Sequence, residues 1–569
     1  MQESKQCQNC KQNYTIESED FDFYRKIEVP LPTFCPRCRL ERRLSFLNFF
    51  NLYKRDCDLC KKSVISRYSP DAPYKVYCPK CWWSDNWDAF EYGRGYDFSR
   101  PFFEQFNELL HNVPIISLSI DIPTTKSSPY TNHTGNLKNC YLIFHGDRGE
   151  NCSYGFYSIG NKDIFDCSLT ADSELCYDSI HTFQSNRCVG TDHATESLEC
   201  FFSRDISGCQ NCFASTNIKN KKYVYFDEQL SKEEYFRKIS EIDIGSYSKY
   251  QEIKKKARSC NAKSFYKGIY DKFCVNSTGN YIFNSKNIKE CFETSFAEDG
   301  KYLFLIADNP TKDSYDIASW GNNMARCCDS VNIGENVSDI KFCDESGINL
   351  ISAEYCRAST GGKNHFGCVS VKKGEFCVLN KRYSESEYRF LREKIIKYMD
   401  DMPYTDKKGN VYKYGELFPP EFTGFPYNDS FASLFFPKTK EAAEKEGFIW
   451  TEKEKRTYDI TKKANELPDH IKDTGESILK EVIECSACGK GYRIIETELS
   501  FLKKMNLPIP RECPMCRIME KVHRWIEDIN YCQTVERKCA KCGVSFKTTL
   551  TEKNAPIIYC NGCYARETA

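Results

Sequence analysis

The sequence carries no net charge, no long apolar run and few histidines, and each absence narrows what the protein can be. Lys plus Arg and Asp plus Glu number 80 each across 569 residues, which excludes a uniformly basic coat for polyanions. No stretch approaches the ~20 apolar residues of a membrane-crossing helix, so no membrane contact is expected. The opening MQESKQCQNC lacks the apolar segment of a secretory signal. No phosphate-binding glycine loop, nucleophile elbow or H-E-x-x-H helix occurs, so the expectation is a protein that is not an enzyme. With eight histidines, any imidazole-based centre draws on a handful of positions. Cysteine is what the chain has in quantity, with 34 residues. A chain this long buries a core without disulfide staples, and the reading is a cytoplasmic, reduced protein whose thiols are metal ligands or buried packing.

Sixteen cysteines form eight C-x2-C pairs. Four lie near the start, Cys7/Cys10, Cys35/Cys38, Cys57/Cys60 and Cys78/Cys81. Four lie near the end, Cys485/Cys488, Cys513/Cys516, Cys539/Cys542 and Cys560/Cys563. In both sets 24 residues separate the first two pairs and 17 the last two. A shift of 478 superposes FYRKIEVPLPTFCPRCR on FLKKMNLPIPRECPMCR, aligning Phe23 with Phe501, Pro30 with Pro508 and Pro32 with Pro510. The chain is bracketed by two copies of one module. Two C-x2-C pairs give a tetrahedral zinc its four thiolates, which implies about four Zn2+ ions, structural because no coordination position stays open. Spacing leaves sequential and interleaved pairing of the ligands both open.

Each second pair opens an amphipathic helix. Leu40, Leu44 and Leu47 share one face and Arg39 and Arg43 another; the later copy has Ile518, Val522 and Trp525 with Arg517, Lys521 and Arg524. A knuckle, a hairpin and a helix carrying the last two ligands is the treble-clef arrangement. The stretch CQNC…FYRKIEVPLPTFCPRCR resembles the zinc-ribbon (treble-clef) family over about 40 residues at each end, and the resemblance implies metal-bound ends and raises nucleic-acid binding. Residues 35–67 carry nine basic side chains against three acidic ones. The phosphate-contact candidates are Arg37, Arg39, Arg42 and Arg43, then Arg517, Lys521 and Arg524; Glu520 stands where the first copy has Arg42. Trp82, Trp83 and Trp87 are read as packing.

Between the ends a twelve-residue register runs through Cys140, Cys152, Ile164, Cys176, Cys188, Cys200 and Cys212, with Val224 next. A period this short predicts a narrow parallel β-solenoid with neighbouring coils about 4.8 Å apart. The varying residues are small and apolar, so the ladder is expected to be buried packing, and Cys209 near Cys212 is not a ligand pair. The next position, including Tyr141, Phe165, Tyr177, Phe201 and Phe213, is expected to pack on another element. The seventh position stacks His181, His193 and Asp205, a weaker candidate for a metal or acid–base site. A second array is read at the same spacing through Cys291, Leu303, Tyr315 and Cys327, then irregular over 338–354, then Cys356 and Cys368. Both arrays end alike, KKYVYFDEQLSKEEYF and GEFCVLNKRYSESEYRF, each leading through a Ser N-cap (Ser231, Ser384) into a helix that covers the open edge.

The predicted fold is mainly β. A paired zinc module spans 1–95, a helix and linker 96–135, the first solenoid 136–230 and a capping helix with linker 231–272. The second solenoid spans 273–383, a helix and extended surface tether 384–484, and the second module 485–569. This pattern, with FCVLNKRYSESEY and GELFPPEF, resembles a family of zinc-ribbon proteins met in uncultivated bacteria and their phages, and the resemblance implies no particular activity. The leading expectation is a zinc-binding scaffold that holds nucleic acid or a ribonucleoprotein through its basic modules. The alternatives are a protein-interaction scaffold without nucleic acid and, weaker, a solenoid enzyme using the His/Asp stripe.

Overall fold

The computed structural model describes residues 2–307, 309–452 and 457–568; Asp308 of the second array and residues 453–456 of the tether lie outside the described residues. Its centre is a pair of parallel β-solenoids. In the first, the coil is four triplets. Every third residue from Cys140 to Ser215 is buried and every third from Tyr130 to Phe226 has positive φ, so each side of a four-sided coil supplies one inward residue and one left-handed corner. Asn, Asp and Gly tolerate such corners best. Side-chain ladders stabilise them, as where Asn151 donates to Asp163 across one coil at 2.8 Å.

The four inward columns are narrow, which explains their content of Cys, Ser, Thr, Gly and Ile. Cys152 Sγ donates to the Glu150 and Asn161 carbonyls at 3.2 and 3.3 Å, and Ser173 Oγ to those of Ala171 and Thr182 at 3.0 and 3.2 Å. Cysteine here is a small apolar rung with a weak donor that uses the same backbone acceptors as serine. Cys209 is one such rung, in the next column.

The second solenoid departs from the predicted register. Phe292 pairs with Phe304, Phe304 with Ala318, Ala318 with Val331, Val331 with Asp344, Asp344 with Arg357 and Arg357 with Val369. Its buried rungs are therefore Cys291, Leu303, Ile317, Ser330, Cys343, Cys356 and Cys368. Tyr315 faces outward and Cys327 belongs to the column of Ser314, whose Oγ accepts from the Cys327 amide at 3.1 Å. The stretch 338–354, expected to be irregular, is coil in a thirteen-residue register with the preceding turn, and its one irregularity is a bulge between Gly347 and Leu350, where pairing to the next turn steps from thirteen residues to twelve. The extra residue sits at one corner, where two consecutive residues take positive φ: Asn322–Asn323, Glu335–Asn336 and Ile348–Asn349. Asn323 donates to Asn336 at 2.7 Å and Asn336 to Asn349 at 3.2 Å, so the insertion is stacked from coil to coil.

Each array closes with an antiparallel hairpin, Val224 opposite Gln229 and Cys377 opposite Arg382, followed by helices Lys232–Ser240 and Glu385–Asp401. Ser231 and Ser384 form capping boxes with Glu234 and Glu387. The solenoids lie side by side and antiparallel: His145 meets Ser319, His181 meets Glu293, His193 meets Tyr281 and Asp205 meets Tyr270. The seventh-position stripe is thus the seam between them. The aromatic stripe packs on helices, with Phe165 stacked on Phe501 at 4.5 Å and Tyr177 edge-on to Tyr250.

The aromatic stretch of the tether, expected on the surface, is instead interior: Tyr412, Leu417, Phe418, Phe422, Phe425 and Phe431 are each at most 2% exposed, whereas residues 457–466 are mostly exposed. Its aromatic content is core material between the amino-terminal module and the second solenoid, as the contact of Phe418 with Phe46 and the edge contact of Phe304 with Phe435 show. Trp82 and Trp87 are buried, while Trp83 is partly exposed.

Candidate metal centres

The structure brings the sixteen paired cysteines into four clusters, Cys7/10/35/38, Cys57/60/78/81, Cys485/488/513/516 and Cys539/542/560/563. Pairing is sequential, the alternative that spacing left open. Each centre is built from two local devices. A knuckle turns through a left-handed residue just after its second cysteine, Lys11, Lys61, Gly489 or Gly543. The other two ligands come from the start of a helix whose N-cap is itself a cysteine, Cys35, Cys78, Cys513 or Cys560. Proline follows three of those caps, preset for the first helical position.

The sulfurs fit one ion. Cys10 and Cys35 are 3.7 Å apart, and Cys485–Cys516, Cys488–Cys513 and Cys542–Cys560 are each 3.8 Å apart. A tetrahedron with 2.3 Å metal–sulfur bonds has edges of about 3.8 Å. Backbone amides favour thiolates: Cys35 N donates to Cys7 Sγ at 3.2 Å and Cys513 N to Cys485 Sγ at 3.1 Å. Burial works against ionisation of Cys57, yet the amides of Cys78, Cys60 and Leu59 bring its thiol down to about 7. For Cys539 the amides of Cys542, Cys560 and Lys541 overcome burial and bring it to about 6. Zinc bound by these residues would supply folding energy rather than reactivity, since all four positions are protein sulfur.

The basic residues assigned to phosphate contact are mostly turned inward, a correction to the expectation. In the helix Pro36–Ser45, Arg39 and Arg43 both reach Asp316 at 2.9 Å, Arg42 and Arg43 reach Asp329 at 2.8 Å, and Arg42 also reaches Glu416 at 3.1 Å. In the helix Pro514–Asp528, Arg517 pairs with Asp166 and with Glu498, Lys521 with Asp178 at 2.9 Å and Arg524 with Asp192. Arg39, Arg42, Arg43, Arg517 and Lys521 are at most 7% exposed. Arg524 is half-buried, and only Arg37 is exposed, its guanidinium 4.5 Å above the Phe436 ring. A buried charge is tolerable only when paired, and here the solenoid acids supply the pairs.

The two dockings are one device used twice. Helix positions four apart, Arg39/Arg43 and Arg517/Lys521, engage aspartates on successive coils, Asp316/Asp329 and Asp166/Asp178. The preceding aromatic stacks likewise, Phe23 on Tyr315 at 3.7 Å and Phe501 on Phe165 at 4.5 Å. The arrangement is crossed: the amino-terminal module docks on the second solenoid and the carboxy-terminal module on the first.

Of the histidine stripe, His181 and His193 come together, stacked at 4.5 Å, but Asp205 does not join them. Asp205 lies beside Arg204 and accepts from the Tyr270 hydroxyl at 2.8 Å. Asp192 takes its place, grouped with both imidazoles. Asp192 was visible only as the neighbour of His193, and Glu293, which meets His181 at 3.2 Å, comes from the other array, so no spacing could reveal it.

No family model and no curated protein matches the chain. Among solved structures, one from Desulfovibrio desulfuricans G20, described provisionally as an acetyltransferase, aligns over 45% of this chain and 69% of its own, at 8% identity and a TM-score of 0.11. That likeness is too low to carry an argument about fold or function.

Proposed function

We propose that the protein is a non-enzymatic scaffold, held by four structural zinc ions, that offers the outer faces of its solenoids to a protein partner. The observation that supports this over nucleic-acid binding is the inward commitment of both basic helices, in which Arg39, Arg42, Arg43, Arg517, Lys521 and Arg524 are all paired with acids and Arg37 is the exposed candidate. The outer faces carry alternating ladders, Lys138 with Glu150, Lys162 with Glu174, Lys286 and Lys312 with Glu298, and Arg326 with Asp339. Such ladders neutralise themselves and suit a mixed polar protein surface better than a polyanion. A cytoplasmic, reducing location fits the 34 thiols, none of them paired in a disulfide; among the described residues no helix is long and apolar enough to cross a membrane.

Fluorescence anisotropy with labelled RNA and DNA across a salt series tests it. Only weak binding, with Kd no tighter than about 1 μM at physiological salt, is expected. Tight, steeply salt-dependent binding that is lost on Arg37→Ala would overturn the proposal in favour of the nucleic-acid reading. A partner retained after nuclease treatment and released by Lys162→Glu combined with Arg326→Glu is the positive result.

A further inference from the structure

Outside the cysteine centres, the seam between the solenoids groups His181, Asp192 and His193, and each of these side chains carries one unsatisfied polar atom. His181 Nδ1, Asp192 Oδ1 and His193 Nδ1 are each buried without a hydrogen-bond partner. One ligand atom from each of these side chains lies within 4.8 Å of the others. Asp192 Oδ1 comes to 2.7 Å from His193 Nδ1, but the two are not aligned for a hydrogen bond. An unpaired buried donor or acceptor costs about 1–3 kcal/mol. A proton shared by Asp192 and His193 would satisfy two of the three and leave His181 Nδ1 orphaned. A cation satisfies all three at once.

We infer that His181, Asp192 and His193 form a two-histidine, one-carboxylate site for a divalent transition-metal ion, separate from the four cysteine centres. The surroundings are those of ligating histidines. The other ring nitrogen of His181 lies 3.2 Å from Glu293 Oε1, which itself accepts from Trp525 Nε1 at 2.7 Å. The other nitrogen of His193 lies 2.9 Å from the Tyr281 hydroxyl. Carboxylate and hydroxyl partners of this kind fix the ring orientation and raise the basicity of the ligating nitrogen. Arg524 holds Asp192 by Oδ2, leaving Oδ1 for the cluster. The His181 ring is clamped between His193 at 4.5 Å and Tyr281 at 4.3 Å, so its Nδ1 has little freedom to find another partner.

Imidazole with one carboxylate suits zinc, iron, manganese or cobalt rather than calcium or magnesium. Ligands around such an ion sit roughly 3.4 Å apart in a tetrahedron, so binding opens the 2.7 Å contact between Asp192 and His193 while the three ligand atoms stay within 4.8 Å of one another. Three protein ligands leave coordination positions open. Asp192 and His193 also line a cavity of about 320 Å3, together with Arg204, Tyr270, Tyr281 and Asp528, with room for water or a small oxygen-donor ligand. This site shares no ligand with the scaffold's zinc modules or outer faces, so the two proposals stand or fall separately.

Metal analysis of the full-length protein, before and after dialysis against a weak chelator, followed by titration with Co(II), tests the inference. The expected result is about five ions per chain, four in the cysteine clusters and one that leaves first. The Co(II) that rebinds there should lack thiolate charge-transfer absorption. Asp192→Asn and His193→Gln should lose this ion and keep the other four, which report an intact fold. Glu293→Gln should weaken its affinity roughly 10–100-fold, and it carries the test if a ligand variant sheds cysteine-bound metal. Four ions with no saturable Co(II) uptake beyond them, or a fifth ion indifferent to all three substitutions, would overturn the assignment.

Discussion

At the scale of single residues, cysteine does two unrelated jobs, and its surroundings decide which. Cys38 sits in a cluster of four sulfurs, whereas Cys152 is a 1%-exposed rung bonded to carbonyls of its own coil. Cys152→Val should therefore fold with a loss below about 1.5 kcal/mol, because volume-conserving apolar swaps are tolerated. Cys38→Val should release one metal ion and unfold its module, read by metal content and near-ultraviolet circular dichroism. His365 makes a different prediction. It is fully buried in an inward column between Ala353 and Cys377, and burial, partly offset by the Gly374 carbonyl, lowers its pKa to about 4. The unfolded value is about 6.5. The folded state thus binds fewer protons between those values, so stability is complete above about pH 6.5 and falls as pH drops toward 4, by up to ~3 kcal/mol. Urea midpoints measured between pH 7 and 5 should fall more steeply for the wild type than for His365→Asn, which separates this effect from metal loss.

At the scale of elements, the corner and the docking helix carry most of the design. A coil tolerates a thirteenth residue because the extra corner is repeated in register and laddered by Asn323, Asn336 and Asn349. The docking helices work because residues four apart on a helix face meet successive coils, at spacings of about 6 and 4.8 Å. Arg517→Ala should leave Asp166 buried and unpaired and cost about 3–5 kcal/mol in urea unfolding. Arg517→Met with Asp166→Asn and Glu498→Gln should recover a large part of that loss, since an uncharged cluster needs no counter-ion. Equal losses in the single and triple variants would refute this account of the docking.

At the scale of the whole molecule, the crossed docking makes a prediction that a simple string of domains would not. Removing residues 485–569 should expose the first solenoid, whose acids Asp166 and Asp178 bind that module, and leave the second solenoid protected by the amino-terminal module. Hydrogen exchange should rise in the coils around 153–195 and stay slow around 328–368. A rise confined to residues adjacent in sequence to the cut would contradict the crossed arrangement.

The sequence by itself determined whatever depends on local spacing: the eight cysteine pairs, the duplicated modules, the solenoid class with its buried Cys140–Cys212 ladder, and the Ser231 and Ser384 caps. Each follows from contacts between residues at a fixed short separation. Tertiary structure alone decided three things. It set the thirteen-residue coils, because an insertion at a corner shifts the register without breaking the triplet pattern. It turned Arg39, Arg43, Arg517 and Lys521 inward, because the solenoid aspartates they meet lie hundreds of residues away. It also joined His181 and His193 to Asp192 and Glu293, because that cluster exists only where the two solenoids meet. A charged helix face reads the same in sequence whether it meets water, phosphate or a buried aspartate, and only packing distinguishes these.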